Sequence, residues 1–126
     1  MTSSTVYVCV TCRGATPAAA EGTRAGARLL EAIERQLGEA GDGLAVTPVE
    51  CLSNCQRGCS AAVAAAGKWT YVIGDLDPDR HAGDIVDFAR LHRAHELGLP
   101  VWRERPAHIR KSTIARVPPM KFEEQR

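Results

Sequence analysis

Cys9, Cys12, Cys51, Cys55 and Cys59 are the residues of this 126-residue chain best suited to chemistry, and they are not scattered. Two lie close together near the start, three lie close together past position 50, and the segment between holds none. An odd number of thiols argues against a disulfide framework. The opening Met-Thr-Ser-Ser-Thr lacks the basic start and apolar stretch of an export signal, so the chain is expected to be cytoplasmic, where thiols stay reduced. Thiolates held for metal or redox chemistry are the reading that follows.

The elements that must position them are legible from composition and period. Apolar residues make up 44% of the chain, but nineteen are Ala and only six residues are aromatic, which suits close helix-on-sheet packing. The length allows one domain, and no apolar run approaches a membrane span. Residues 5–10 are a β-branched, apolar strand candidate ending near Cys9. Thr16-Pro17 offers a helix start, and Ala25, Leu29, Ile33 and Leu37 repeat at helical spacing before Gly38, Gly41 and Gly43. Residues 44–49 predict a second strand, parallel to the first across that helix. Residues 61–66 and 69–73 predict a hairpin turning at Gly67-Lys68, and Asp77-Pro78 opens a second helix that stops at Gly98-Leu99-Pro100. The fold class expected is α/β, a thioredoxin-like β-α-β-β-β-α order over residues 1–99. Residues 100–126 carry seven Lys or Arg against three Glu and predict an extended, basic C-terminal arm.

In such a sheet the loops leaving parallel strands share one edge, so the two cysteine groups should face each other. Four thiolates, two from each loop, suit a [2Fe-2S] cluster, in which each iron takes two cysteine sulfurs. Cys9, Cys12, Cys51 and Cys55 are therefore the expected cofactor and metal ligands. Gly14 and Gly58 would allow close approach, and Arg13 and Arg57 flank the groups, either facing solvent or offsetting the anionic cage. Cys51, Cys55 and Cys59 recur every four residues, so a helical loop would place all three on one face and let Cys59 act as an alternative ligand. Otherwise Cys59 is a packed thiol. Structural zinc is a rival, although such sites favour short spacings in both halves and serve domains too small to fold alone. Cys9-Val-Thr-Cys12 also has the spacing of a redox dithiol, but residues 13–17 hold the helix N-terminus away from it. No catalytic residue is nominated, because no nucleophile is paired with a base.

The stretch Val49-Glu50-Cys51-Leu52-Ser53-Asn54-Cys55, with Gly58 and the hairpin after it, resembles the second cluster loop of thioredoxin-like [2Fe-2S] ferredoxins, including the small cluster subunit of respiratory complex I. Cys9 with Cys12-Arg13-Gly14 is similar to their first loop. Two departures stand out: the first pair is more closely spaced than in that family, and Cys59 stands where the family has Pro. A closer resemblance, through Cys59, Gly67-Lys68-Trp69-Thr70-Tyr71 and Ala115-Arg116-Val117-Pro118-Pro119, is to a bacterial family of uncharacterised, predicted metal-binding proteins. The first resemblance implies an electron carrier with a redox partner protein and a homodimer. The second implies metal handling or delivery linked to cobalamin biosynthesis.

His92 and His95 have a chelating spacing but more commonly face solvent, as His81 and His108 are also expected to do. Trp69, Tyr71 and Trp102 are expected as core or interface anchors. The arm's arginines could pack, or could dock an acidic partner or tetrapyrrole carboxylates. Nucleic acid and membrane are not expected as partners, since the chain's net charge is +1 and no recognition motif accompanies the arm.

Overall fold

Alternation of apolar side chains on short β-branched runs builds a five-stranded sheet in the computed structural model, which describes residues 3–12, 24–38 and 43–120. In chain order the elements are β1 (Ser4–Cys9), α1 (Ala25–Leu37), β2 (Leu44–Val49), β3 (Ala61–Ala64), β4 (Thr70–Ile73), α2 (Ala82–Ala94), α3 (Ala107–Ser112) and β5 (Thr113–Val117). Single tight helical turns lie at Cys55–Arg57 and Trp102–Glu104. The strands stand in the order β2-β1-β3-β4-β5. β1 and β2 run parallel from Ser4 opposite Leu44 to Cys9 opposite Val49, and every other pairing is antiparallel. This is the expected α/β sheet. The expected helix start at Thr16-Pro17 lies outside the described residues.

Val6 and Val8 of β1, Ala61 and Val63 of β3, and Tyr71 and Ile73 of β4 fall on one face by register and are buried. Leu29 and Ile33 of α1 and Ile85, Val86, Phe88 and Ala89 of α2 close over that face, with Tyr71 and Phe88 edge to face at 5.0 Å. α1 ends at Gly38, whose φ of +56° is open to glycine and whose N–H donates to the Glu34 carbonyl. β3 stops at Ala64, two residues earlier than its composition suggests, because residues 65–69 form the turn: Gly67 has φ +75° and the Lys68 N–H donates to the Ala65 carbonyl. α2 begins at Ala82 and not at Asp77-Pro78. The Asp77 carboxylate accepts the Asp79 N–H and its carbonyl accepts those of Arg80 and His81, so Asp77 makes a turn that competes with the helix.

The largest departure is the C-terminal segment. Residues expected as an extended arm fold back as α3 and β5, with β5 pairing onto β4. Ile109 is fully buried, and three arginines of the segment lie over aromatic rings: Arg105 on Tyr71, Arg110 on Trp102 and Arg116 on Trp69. Each such contact contributes about 0.5–1 kcal/mol where exposed, enough to turn basic residues into packing residues. Among the described residues no helix is long and apolar enough to cross a membrane.

His92, expected to face solvent, is fully buried. Its Nε2 donates to the Trp69 carbonyl at 2.7 Å, so its Nδ1 accepts from the Ser4 hydroxyl at 2.8 Å. Burial pushes this imidazole below its ordinary 6.5, as does Lys68, whose ammonium caps the end of α2 through the His92 and Arg93 carbonyls; the bond to Trp69 opposes the shift. With the folded pKa depressed, the unfolded chain binds more protons at low pH, so stability is full above 6.5 and falls as pH drops below it. The urea midpoint of the protein should therefore decline on acidification. His92→Gln should lower the unfolding free energy at neutral pH by about 1–3 kcal/mol and make its pH dependence shallower; an unchanged slope would show that His92 does not titrate on unfolding. His81 and His108, also expected at the surface, are half-buried and stacked at 3.6 Å.

Candidate metal centre at the cysteine edge

Because β1 and β2 are parallel neighbours, both leave the sheet at the same edge, and each delivers a cysteine loop there. Cys9 closes β1 between two partners: its N–H donates to the Ser60 carbonyl, and the next amide, of Val10, donates to the Val49 carbonyl. Its thiol donates to the Glu50 carbonyl at 3.7 Å, which also accepts the Thr11 hydroxyl at 2.6 Å. The Cys12 carbonyl accepts the Gly26 N–H at 3.0 Å, so α1 starts against this loop. A Cβ on Gly26 would overlap the Cys9 carbonyl, which makes glycine a condition of that approach.

The second loop is half surface and half core. Ser53, at φ +58°, turns its N–H onto the Cys51 sulfur at 3.2 Å. An amide N–H on sulfur is the kind of contact that orients a ligating cysteine. A single tight turn at Cys55–Arg57 follows, and then Gly58, where a Cβ would overlap the Cys12 Sγ. The Gly58–Cys59 peptide is cis, and Cys59 and Leu76 exchange both backbone hydrogen bonds, at 3.2 and 3.0 Å.

The five thiols are all free, and the structure divides them differently from the spacing. Cys9, Cys12 and Cys59 are buried; Cys51 and Cys55 are exposed. The loop is not a helix, so Cys51, Cys55 and Cys59 do not share a face. Cys59 has no exposed surface. Burial pushes its thiol up to about 12, helped by the neighbouring thiols of Cys12 and Cys9 and opposed by Arg28. Arg57 does not aim at the sulfurs, since its guanidinium pairs with Asp75, Nε to Oδ2 at 3.0 Å. Arg13 and Gly14 lie outside the described residues.

Among the described residues no three His, Cys, Asp or Glu side chains stand close enough to hold one metal ion. The donor set nevertheless fits an iron-sulfur cluster in type and number. Four free thiols arrive in two pairs at one edge, Gly58 clears space at Cys12, and an amide already addresses Cys51. A ligand set drawn from both loops combines two sulfurs fixed by the core with two carried on a surface loop. Iodoacetamide should accordingly label Cys51 and Cys55 of the folded, reduced, metal-free chain at least about tenfold faster than Cys9, Cys12 and Cys59, which should react fully only in denaturant. Peptide masses over time would show this, and equal rates at Cys59 and Cys51 would contradict the division.

In fold the chain is similar to a thioredoxin-like [2Fe-2S] ferredoxin from Aquifex aeolicus, with a TM-score of 0.52 and 20% identity over 95% of this chain and 98% of that one. A crystal structure at 1.5 Å of the wild-type thioredoxin-like [2Fe-2S] ferredoxin from the same organism gives 0.53 at 17% identity, covering 90% of this chain and 97% of that one. No curated protein matches the chain. Residues 6–119 match the family described as "Protein of unknown function (DUF1636)", and the chain belongs to that family.

Proposed function

We propose that this protein is an electron carrier that binds one [2Fe-2S] cluster through Cys9, Cys12, Cys51 and Cys55 and passes single electrons to a partner protein. The observation that carries the reading is the β1–β2 register: with Cys9 opposite Val49, the two cysteine pairs leave adjacent parallel strands at one edge. The fold likeness to proteins named as [2Fe-2S] ferredoxins supports it. When bound, such a cluster supplies one-electron transfer with no bond made or broken in the protein. The chain's own residues would do the rest. Cys9 and Cys12 anchor one side in the core, where low polarity strengthens every interaction with charge. The Ser53 N–H, 3.2 Å from the Cys51 sulfur, orients that side chain. Exposure of Cys51 and Cys55 leaves that side open for a partner's approach. Pairing of Arg57 with Asp75 keeps that cation from biasing the site.

Metal delivery is the second reading, favoured by the same two exposed thiols, which could hand over an ion. Purification without oxygen separates the two. An electron carrier should be red-brown, hold about two iron and two sulfide per chain, and give a paramagnetic signal on one-electron reduction. Colourless protein with stoichiometric zinc would overturn the electron-carrier reading.

A further inference from the structure

Ser60 stands between Cys59 and β3 with no exposed surface, and its hydroxyl meets no hydrogen-bond partner among the described residues. A buried hydroxyl left unpaired is destabilising, and native interiors hold few of them. The sheet shows what this one faces. β1 and β3 are antiparallel with Val8 opposite Ala61, and the ladder continues by one residue, the Cys9 N–H donating to the Ser60 carbonyl at 3.2 Å. Ser60 is therefore the cross-strand partner of Cys9. Directly opposed residues of an antiparallel pair send their side chains to the same face, with Cβ atoms about 4.5–5.5 Å apart. The hydroxyl and the Cys9 sulfur thus share the face of the sheet opposite to Val8 and Ala61. The Cys9 sulfur itself turns to the Glu50 carbonyl and the Thr11 hydroxyl, which leaves the Ser60 donor beside the cysteine edge with nothing to address.

We infer that Ser60 tunes the bound cluster: its hydroxyl donates to an anionic sulfur there, the Cys9 thiolate or a cluster sulfide, and holds the reduction potential up. This rests on the electron-carrier reading. Reduction adds one electron and so adds negative charge to the sulfurs, and a donor aimed at sulfur favours the reduced form over the oxidised one. Burial strengthens the effect, because no water competes for the donor. No bond forms or breaks in the transfer, and the Ser60 hydrogen stays on its oxygen. With Arg57 paired to Asp75, this neutral dipole acts without a charge from that side chain. The same hydroxyl is a cost to the chain alone and a contact for the chain with its cluster, so its removal has opposite signs in the two states.

The test compares Ser60→Ala with the unmodified full chain in both states. Stripped with a chelator, the variant should unfold in urea at the same midpoint as its parent or a higher one, because an unpaired buried hydroxyl has gone. Purified without oxygen, it should hold the parent's iron and sulfide. In a redox titration followed by visible absorption it should be about tenfold harder to reduce at a given potential, a midpoint about 59 mV lower for one electron. A coloured variant with the parent's redox midpoint would overturn the inference and leave the electron-carrier reading standing. So would a stripped variant less stable than its parent, since the hydroxyl would then already have a partner in the chain. An unmodified chain that purifies colourless would overturn the electron-carrier reading and this inference together.

Discussion

Cys51→Ser and Cys55→Ser should each cut the iron and sulfide of anaerobically purified protein to less than about a tenth while leaving the fold intact. Both side chains are exposed, and a surface substitution of this kind usually changes stability by no more than about 0.5 kcal/mol. Loss of colour with an unchanged urea midpoint of the metal-free chain therefore reports ligation. Cys59→Ser should do the reverse. It buries a hydroxyl among apolar neighbours, which costs about 1–3 kcal/mol where no partner is found, yet it should keep the full iron content. Iron analysis and denaturation on these three variants and on Cys9→Ser check this together. If Cys59→Ser loses the iron and Cys9→Ser keeps it, the ligands are Cys12, Cys51, Cys55 and Cys59.

Gly26→Ala should lower stability by about 3 kcal/mol and the melting temperature by about 10 °C. The direction is opposite to that expected of a glycine inside a helix, where alanine is better by about 1 kcal/mol. Geometry decides the sign. The new Cβ would overlap the Cys9 carbonyl and crowd Val10 Cα, and both are main-chain atoms of β1's end that no side-chain rotation can move. α1 must retreat from the first cysteine loop or the loop must shift, so metal content should also fall. Gly83, in α2, is the control: an added Cβ there meets only Gln36 Nε2 at 3.9 Å, and Gly83→Ala should be neutral or stabilising by up to about 1 kcal/mol. Thermal and urea unfolding of the two variants give the comparison. A Gly26→Ala protein as stable as its parent would show that helix and loop do not touch.

The central sheet and its helices are legible in the sequence because their signal is periodic. Leu29 and Ile33 repeat on α1, Ile85 and Ala89 on α2, and the β-branched run to Cys9 reads as a strand. His92 follows Ile85 at the spacing of two helical turns, so the period that placed Ile85 and Ala89 in the core could have placed His92 there too; its residue type masked the position. The C-terminal segment was harder. Its arginines read as solvated charge, whereas Arg105, Arg110 and Arg116 each use an aromatic ring distant in sequence. The apolar Ile109, Ile114 and Val117 were the available hint of α3 and β5. At the site, the grouping of the cysteines was legible and their burial was not. Spacing of four residues describes a helix, and residues 51–59 contain only one tight turn. Gly26, which no period singles out, is where α1 comes close to the Cys9 main chain.

The bond between Cys59 and Leu76 also carries a statement about time. All five thiols precede Leu76 in the chain, and the main-chain pairing that seals Cys59 requires it. A ribosome therefore emits every cysteine before it emits the residue that closes over the last of them. Until position 76 follows, the main-chain pairing that holds Cys59 has no partner. The main-chain pairing of the last cysteine thus waits on a segment that contains no cysteine.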